Sequence, residues 1–427
     1  MSSSHASSWS EVPVDILVTV LDGLGIRDLF RSGAVCRCWN NASSYVQGLH
    51  RVLSRSQRTP PCLVYKASNS GAATLYSITD NRSYAVPCIP GGFWLGASHG
   101  WLITADDHAK LRLVNPVTGQ RIESLPLLST IEQVRLVYDD NGTAVPDKYQ
   151  VFPYDRSLWV HQALVNRPFI MDAPELVDYL YLRALISSDP SSDGSDCVVV
   201  LIHRPRFQLS FARPGDAYWT WIQAPPDNTE YCDCAFDGGT LYAMRYDGAI
   251  HAFDLHGRPA LERQVILRPQ VKVTYRSTNY LIHAPWLNCW LQVWRKMEES
   301  TDPAAAAHDC GKKVWKTKSI KVYQVDLVAQ TLVETKDLGE HALFVGSNYS
   351  FSLSSTDCPD GQPNHVYYTD NEEHYALYTP QCPRDIGVYN MGDGSFHHIQ
   401  PPCPWSNWPL PSWITPSLAS KTALPNN

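Results

Sequence analysis

Paired thiols, adjacent carboxylates and one doublet of histidines are the residues in this chain whose types and spacing could do chemistry. Cys36-x-Cys38 and Cys232-x-Cys234 each offer two sulfur ligands. Structural zinc is normally held by Cys-x2–4-Cys with a second matching pair downstream, and neither run has that partner. Both read as core or partly buried thiols. His397 and His398 follow Phe396 in a strand-like stretch, where neighbouring rings face opposite sides and cannot chelate one metal together. Asp357-Cys358-Pro359 would be a candidate reactive thiol, but no base stands at a motif spacing from it. Asp106-Asp107, Asp139-Asp140 and Glu372-Glu373 could serve glycoside hydrolysis, which needs two carboxylates roughly 5–9 Å apart across a cleft. Each is a pair of neighbours in a turn-like stretch, where solvation accounts for it. No dinucleotide, phosphate-loop or nucleophile-elbow motif occurs. The motifs therefore point to no catalytic residue, no metal site and no cofactor. An enzyme would have to gather carboxylates from distant strands.

Composition narrows the classes further. With 44% hydrophobic and 18% charged residues, 14 Trp and 22 Tyr in 427 residues, the chain carries the material of a sizeable core. Its net charge of −7 lacks the basic excess of a general nucleic-acid binder. No apolar run approaches the ~18 residues of a membrane span, and MSSSHASS at residues 1–8 has no leader-like apolar stretch. Nucleus or cytoplasm, or both, is the expected compartment, with the 12 cysteines as free thiols in small core spaces. Asn-x-Ser/Thr triplets at Asn41, Asn81, Asn141 and Asn348 then carry no meaning for glycosylation.

The elements that must position any function start at residues 9–40, WSEVPVDILVTVLDGLGIRDLFRSGAVCRCWN. Ile16, Leu17, Val20, Leu21 and Leu24 recur at helical spacing, and Leu29, Phe30 and Ala34 do so after a break at Gly23 and Gly25. Val35, Cys36 and Trp39 fall on a third helical piece. Three helices of this length cannot bury so many apolar groups among themselves, since a unit of roughly 40 residues is at the limit of independent stability. The excess implies a partner.

These residues resemble an F-box, whose usual form is Leu-Pro, an acidic residue two positions on, a Leu/Ile/Val-rich helix, Asp-Leu, then Val-Cys-Arg-x-Trp. Here the elements are Val12-Pro13, Asp15, Ile16-Leu17, Val20-Leu21, Asp28-Leu29 and Val35-Cys36-Arg37-Cys38-Trp39. Trp9-Ser10-Glu11 also resembles the opening of many plant F-box proteins. Val12 in place of Leu loses a methylene, about 1 kcal/mol of contact, and Gly33 is a poor helix former. The resemblance implies a Skp-type adaptor as partner, bound through Val12, Pro13, Ile16, Leu17, Val20, Leu21, Leu24, Leu29, Val35, Cys36 and Trp39, and through it a cullin scaffold. An amphipathic helical cap on a larger core is the plainer alternative.

After a basic connector, 50–58, and Thr59-Pro60-Pro61, the text changes to short apolar and aromatic runs between Gly, Pro, Asn and Asp. LVYK (63–66), TLYSI (74–78), GWLITA (100–105), LRLVN (111–115), CVVVLI (197–202), TLYAMR (240–245) and AIHAFDL (249–255) read as strands. KVYQVDL (321–327), HVYYTD (365–370) and IGVYNM (386–391) read likewise, with a helix only over 173–185. Asn115-Pro116-Val117-Thr118-Gly119 and Asp247-Gly248 are turns. Units recurring at roughly 40–60 residues suit the blades of a β-propeller, with a β-sandwich pair as the alternative. Segments 187–196 and 298–311 are expected as exposed loops. Lys312, Lys313, Lys316, Lys318 and Lys321 read as a protected strand edge. Of the surplus Trp residues most should sit between blades, with a few left as anchors on one face. GGFWLGASHGWL (91–102), NPVTG (115–119) and the stretch 337–370 resemble the kelch-like propeller known as domain of unknown function 295, which commonly follows an F-box in plants.

The expected fold class is thus a small all-α N-terminal F-box of three helices (9–47), a linker (48–61) and a large all-β domain, a β-propeller, over 62–420. The expected function is substrate recognition within a Skp–cullin–F-box ubiquitin ligase, with an unidentified target protein on the propeller. A non-degradative binding role and a propeller enzyme are the alternatives.

Overall fold

The computed structural model describes residues 12–24, 26–53, 60–79, 81–86, 89, 92–152, 168–191, 196–204, 207–222, 230–256, 263–271, 277–300, 314–358, 361–370 and 384–417. Its first part comprises α1 (Val14–Asp22), α2 (Ile26–Ser32) and α3 (Arg37–Leu53). Pro13, with φ −54° and an extended ψ of 142°, stands at the N-cap of α1 and has no N–H to leave unsatisfied. Asp15 in the first turn faces the positive end of the helix dipole, and the Gly23 N–H closes the other end on the Leu21 carbonyl. In α2, Asp28 stands in the first turn and Arg31 in the last, the favourable order for its dipole. Leu17 and Leu21 of α1, Leu29 of α2, and Ala42 and Val46 of α3 form a small core, flanked by Val12, Val18, Leu24 and Trp39.

From residue 62 the chain is a succession of antiparallel sheets. The first is Cys62–Lys66, Ala73–Ser77 and Arg82–Ala85, with Ser412–Ile414 from the other end of the chain added beside Cys62–Lys66. The second is Phe93–Ser98, Trp101–Ala105, Leu111–Val114 and Arg121–Ile122, and the third Tyr181–Ile186, Val199–His203, Gln208–Ala212 and Thr220–Ile222. Tyr231–Asp237, Thr240–Arg245, Ile250–Asp254 and Arg263–Leu267 make the fourth. The fifth is Ser277–Ala284, Cys289–Ser300, Val314–Asp326 and Thr331–Thr335. Between the second and third, Val134–Tyr138, Ala144–Val151 and Phe169–Asp172 form a small extra sheet with α4 (Ala173–Leu180).

Period-two alternation explains how these sheets assemble. In the strand Val199–His203, Val199 and Leu201 enter the core shared with the second sheet, while Val200 and Ile202 enter the core shared with the fourth. Both faces are buried, so the strands read as continuous apolar runs. Leu75 and Ile414 of the first sheet share a core with Leu102 of the second, and Ile103 of the second with Leu201 of the third. Leu209 shares one with Leu241, Met244 with Leu281, and Ile282 with Leu343 in His341–Val345, a strand of the sixth sheet. Phe344 then packs with Tyr65 and Trp413 of the first. The cycle of contacts closes, and the domain is a six-bladed β-propeller among the described residues.

The sixth blade breaks the regular plan. His341–Val345 pairs in parallel with His365–Tyr368, and Phe351–Ser354 adds a further strand on its free edge. Gly387–Asn390 and Phe396–His398 complete it. The helix expected over 173–185 stops at Leu180, because Tyr181–Ile186 becomes the first strand of the third blade. Asp172 and Glu175 begin that helix with a reciprocal capping box. Of the exposed loop expected over 187–196, residues 187–191 are half-buried or buried instead, and 192–195 lie outside the described residues. Asp189 collects the Trp101 indole N–H, the Ser191 N–H and the Ser417 hydroxyl, each at 2.9 Å, and so anchors its turn. Of the loop expected over 298–311, residues 298–300 extend a strand, and the rest lies outside the described residues.

Candidate functional site

The most informative surface lies on the three helices. Pro13, Ile16 and Val20 stand at i, i+3 and i+7, one line of side chains beside the Leu17–Leu21 line that faces the small core. Ile16 is 52% exposed and Val20 53%, while Leu17 and Leu21 are buried at 2% and 0%. Val35, before α3, is 59% exposed. Hydrogen bonds fix the turn that presents it. The Ser32 and Ser43 hydroxyls both donate to the Leu29 carbonyl at 2.6 Å, and the Asn40 amide donates to the Gly33 carbonyl at 3.0 Å. Scattered exposed apolar residues are ordinary, but a β-branched line beside a complete core is an unpartnered face.

The structure thus divides the residues expected to meet an adaptor. Pro13, Ile16, Val20 and Val35 are exposed, and Val12, Leu24, Cys36 and Trp39 are half-buried. Leu17, Leu21 and Leu29 are enclosed by the helices themselves, so the reading that they reach into a groove is revised to one of bracing. Val14 and Tyr45, also exposed, were not singled out from the sequence, although helical spacing alone would place them outside the core.

The other chemically suggestive residues have local explanations. Asp106 accepts from the His108 and Lys110 N–H groups and pairs with Arg112 at 2.7 Å, while Asp139 accepts from the Asn141 and Thr143 N–H groups. Both first members of those pairs close turns. Glu372 and Glu373 lie outside the described residues. Burial pushes the Cys232 and Cys234 thiols well above the usual range, which suppresses thiolate. Cys36 is half-buried and Cys38 exposed; His397 and His398 are exposed on an outer strand; Cys358 is buried. Among the described residues no three His, Cys, Asp or Glu side chains gather where they could hold a metal. On the fifth blade, Lys318 pairs with Glu298, and Lys321 with Glu334 at 2.8 Å.

Charge is concentrated instead inside the ring. Arg183 and Asp233, both essentially buried, pair at 3.0 Å. Asp233 also accepts from the Cys234 N–H at 2.8 Å, the Leu281 N–H at 2.9 Å and the Ser350 hydroxyl at 3.0 Å. Burial raises its carboxyl, and Arg183 and these donors oppose that rise. Arg295 pairs with Asp385 at 3.1 Å and receives support from the Thr317 hydroxyl at 2.7 Å. With both Asp233 oxygens engaged, this is a structural acceptor and not a base. The signal for it was a charge inside otherwise apolar strand text, YLRALI and CDCAF.

Comparison with known proteins covers nearly the whole chain. A family model described as the KIB1-4 beta-propeller matches residues 75–390. The two strands that close the ring, Cys62–Lys66 and Ser412–Ile414, lie outside that match. F-box protein At5g25290 of Arabidopsis thaliana is 30% identical, with 91% of this chain and 92% of that protein aligned. F-box protein SKIP23 of the same plant is 23% identical over 95% of each chain. F-box only protein 7, also from Arabidopsis thaliana, is 23% identical over 60% of each.

Proposed function

The chain belongs to the F-box proteins that carry a KIB1-4 β-propeller, and from that premise we propose that it is the substrate-recognition subunit of a Skp–cullin–F-box ubiquitin ligase. The observation that carries the reading is the exposed line of Pro13, Ile16 and Val20 beside a helical core that is already complete. A Skp-type adaptor would cover that line and Val35 by helix-in-groove contact. Val12, Leu24, Cys36 and Trp39 would flank the contact, and Leu17, Leu21 and Leu29 would hold the helices in the presenting arrangement.

In this reading the propeller, kelch-like in the terms of the sequence resemblance, holds a target protein on an end face. Catalysis is then a matter of proximity. Holding a target lysine near the ubiquitin thioester raises its effective concentration, and this chain forms no covalent bond itself. The test is reconstitution of the full chain with a purified Skp-type adaptor and cullin. Co-elution as one complex, with ubiquitin transferred to the bound material, is the expected result. A folded chain that elutes alone would overturn the proposal.

A further inference from the structure

The innermost strand of a propeller blade has one edge without a neighbour, so its N–H and C=O groups point at the ring axis and need partners. Here the chain supplies them. Between His341–Val345 and Phe351–Ser354, residues 346–350 cross to the inner strands of other blades. Asn348 bridges to Ala97 of the second blade, and the Tyr349 N–H donates to the Ala97 carbonyl at 2.7 Å. Arg183 of the third blade donates to the Asn348 carbonyl. In the fourth blade the Phe236 N–H donates to the Tyr349 hydroxyl at 3.0 Å, and Asp233 accepts from the Ser350 hydroxyl at 3.0 Å. Asp233 reaches on to the Leu281 N–H of the fifth.

We infer that residues 346–350 are an axial latch, locked by the buried Arg183–Asp233 pair, that shuts the centre of the ring and ties five of its blades together. Backbone fit around it supports a built device. Gly346 has φ +147°, and a Cβ there would lie 1.8 Å from the Thr369 hydroxyl. A Cβ on Gly96 would meet the Ala184 carbonyl at 2.1 Å and the Ser347 carbonyl at 3.2 Å. Only glycine lets the segment and the inner strands approach so closely. Asn348 turns its amide inward, donating to the Phe344 and Tyr349 carbonyls at 3.2 and 2.7 Å, so the latch also holds its own shape. The inference needs only the ring and stands apart from the ligase reading.

Hydrogen exchange on the full chain, read by mass spectrometry, tests it. In the unaltered protein, peptides spanning 346–350 should exchange as slowly as the strand Val199–His203. In Arg183→Met, exchange across 346–350 and 231–237 should speed by about tenfold or more, while outer strands such as Arg263–Leu267 keep their rates. Should Arg183→Met fail to fold, Tyr349→Phe removes only the hydroxyl that accepts from Phe236, and 231–237 should then exchange faster than the outer strands. Exchange of 346–350 in the unaltered protein at the rate of the exposed turn 139–142 would overturn the inference. So would a folded Arg183→Met, or Tyr349→Phe, whose exchange is unchanged.

Discussion

Gly96 shows at the scale of one residue how little slack the ring has. Its hydrogen faces the Ala184 carbonyl of the next blade, and a methyl there would stand 2.1 Å from that oxygen, backbone that cannot step aside. Gly96→Ala is expected to cost about 3 kcal/mol or more, read as a lower denaturant midpoint. His203 makes a different residue-scale prediction. It is fully buried, its Nδ1 donating to the Arg204 carbonyl at 2.9 Å and its Nε2 accepting from the Ser210 hydroxyl at 2.8 Å. That arrangement uses the neutral ring, and burial lowers its pKa to about 4. Because the folded value is depressed, the stabilisation is complete above the unfolded value near 6.5 and falls away as pH drops toward about 4. On the order of 2–3 kcal/mol should be lost across that window, and His203→Gln should flatten the unfolding free energy measured through it.

Elements show where sequence reading succeeds and where physics withholds the signal. The helix at Val14–Asp22 and the strands at Thr240–Arg245 and His365–Tyr368 are legible because their periodicity and turn residues are local. The strand Phe351–Ser354 was not, since SFSLSS carries too few apolar residues and its place is set by the axial segment before it. Nor was Ser412–Ile414, a three-residue strand defined only by pairing with Cys62–Lys66, some 350 positions earlier. Yet it closes the ring. Trp413 is fully buried, edge-on to Phe344 and Tyr367 at 5.5 and 5.8 Å. Trp413→Ala should cost about 3–5 kcal/mol of stability, with loss of near-ultraviolet dichroism from that aromatic group. The candidate adaptor face was half legible. Spacing marked the apolar residues of α1, but only packing separates Leu17 and Leu21, which close the core, from Ile16 and Val20, which remain outside.

At the scale of the whole molecule, two units built on different physics carry the two proposed jobs. A helical unit completes a small core and still exposes a β-branched face. A ring of six blades among the described residues buries both faces of its inner strands, its axis shut by the proposed latch, and in the proposed reading its end faces hold a target. Separate jobs require that one can be removed without the other. The most direct test is the affinity of the full chain for a Skp-type adaptor, measured by titration calorimetry for the unaltered protein and for Ile16→Asp with Val20→Asp. Tight binding that weakens by about a hundredfold or more in the double variant, roughly 2.7 kcal/mol, is expected, with the unfolding midpoint of the ring unchanged. Equal affinity for the two proteins, or no binding by the folded unaltered chain, would contradict it.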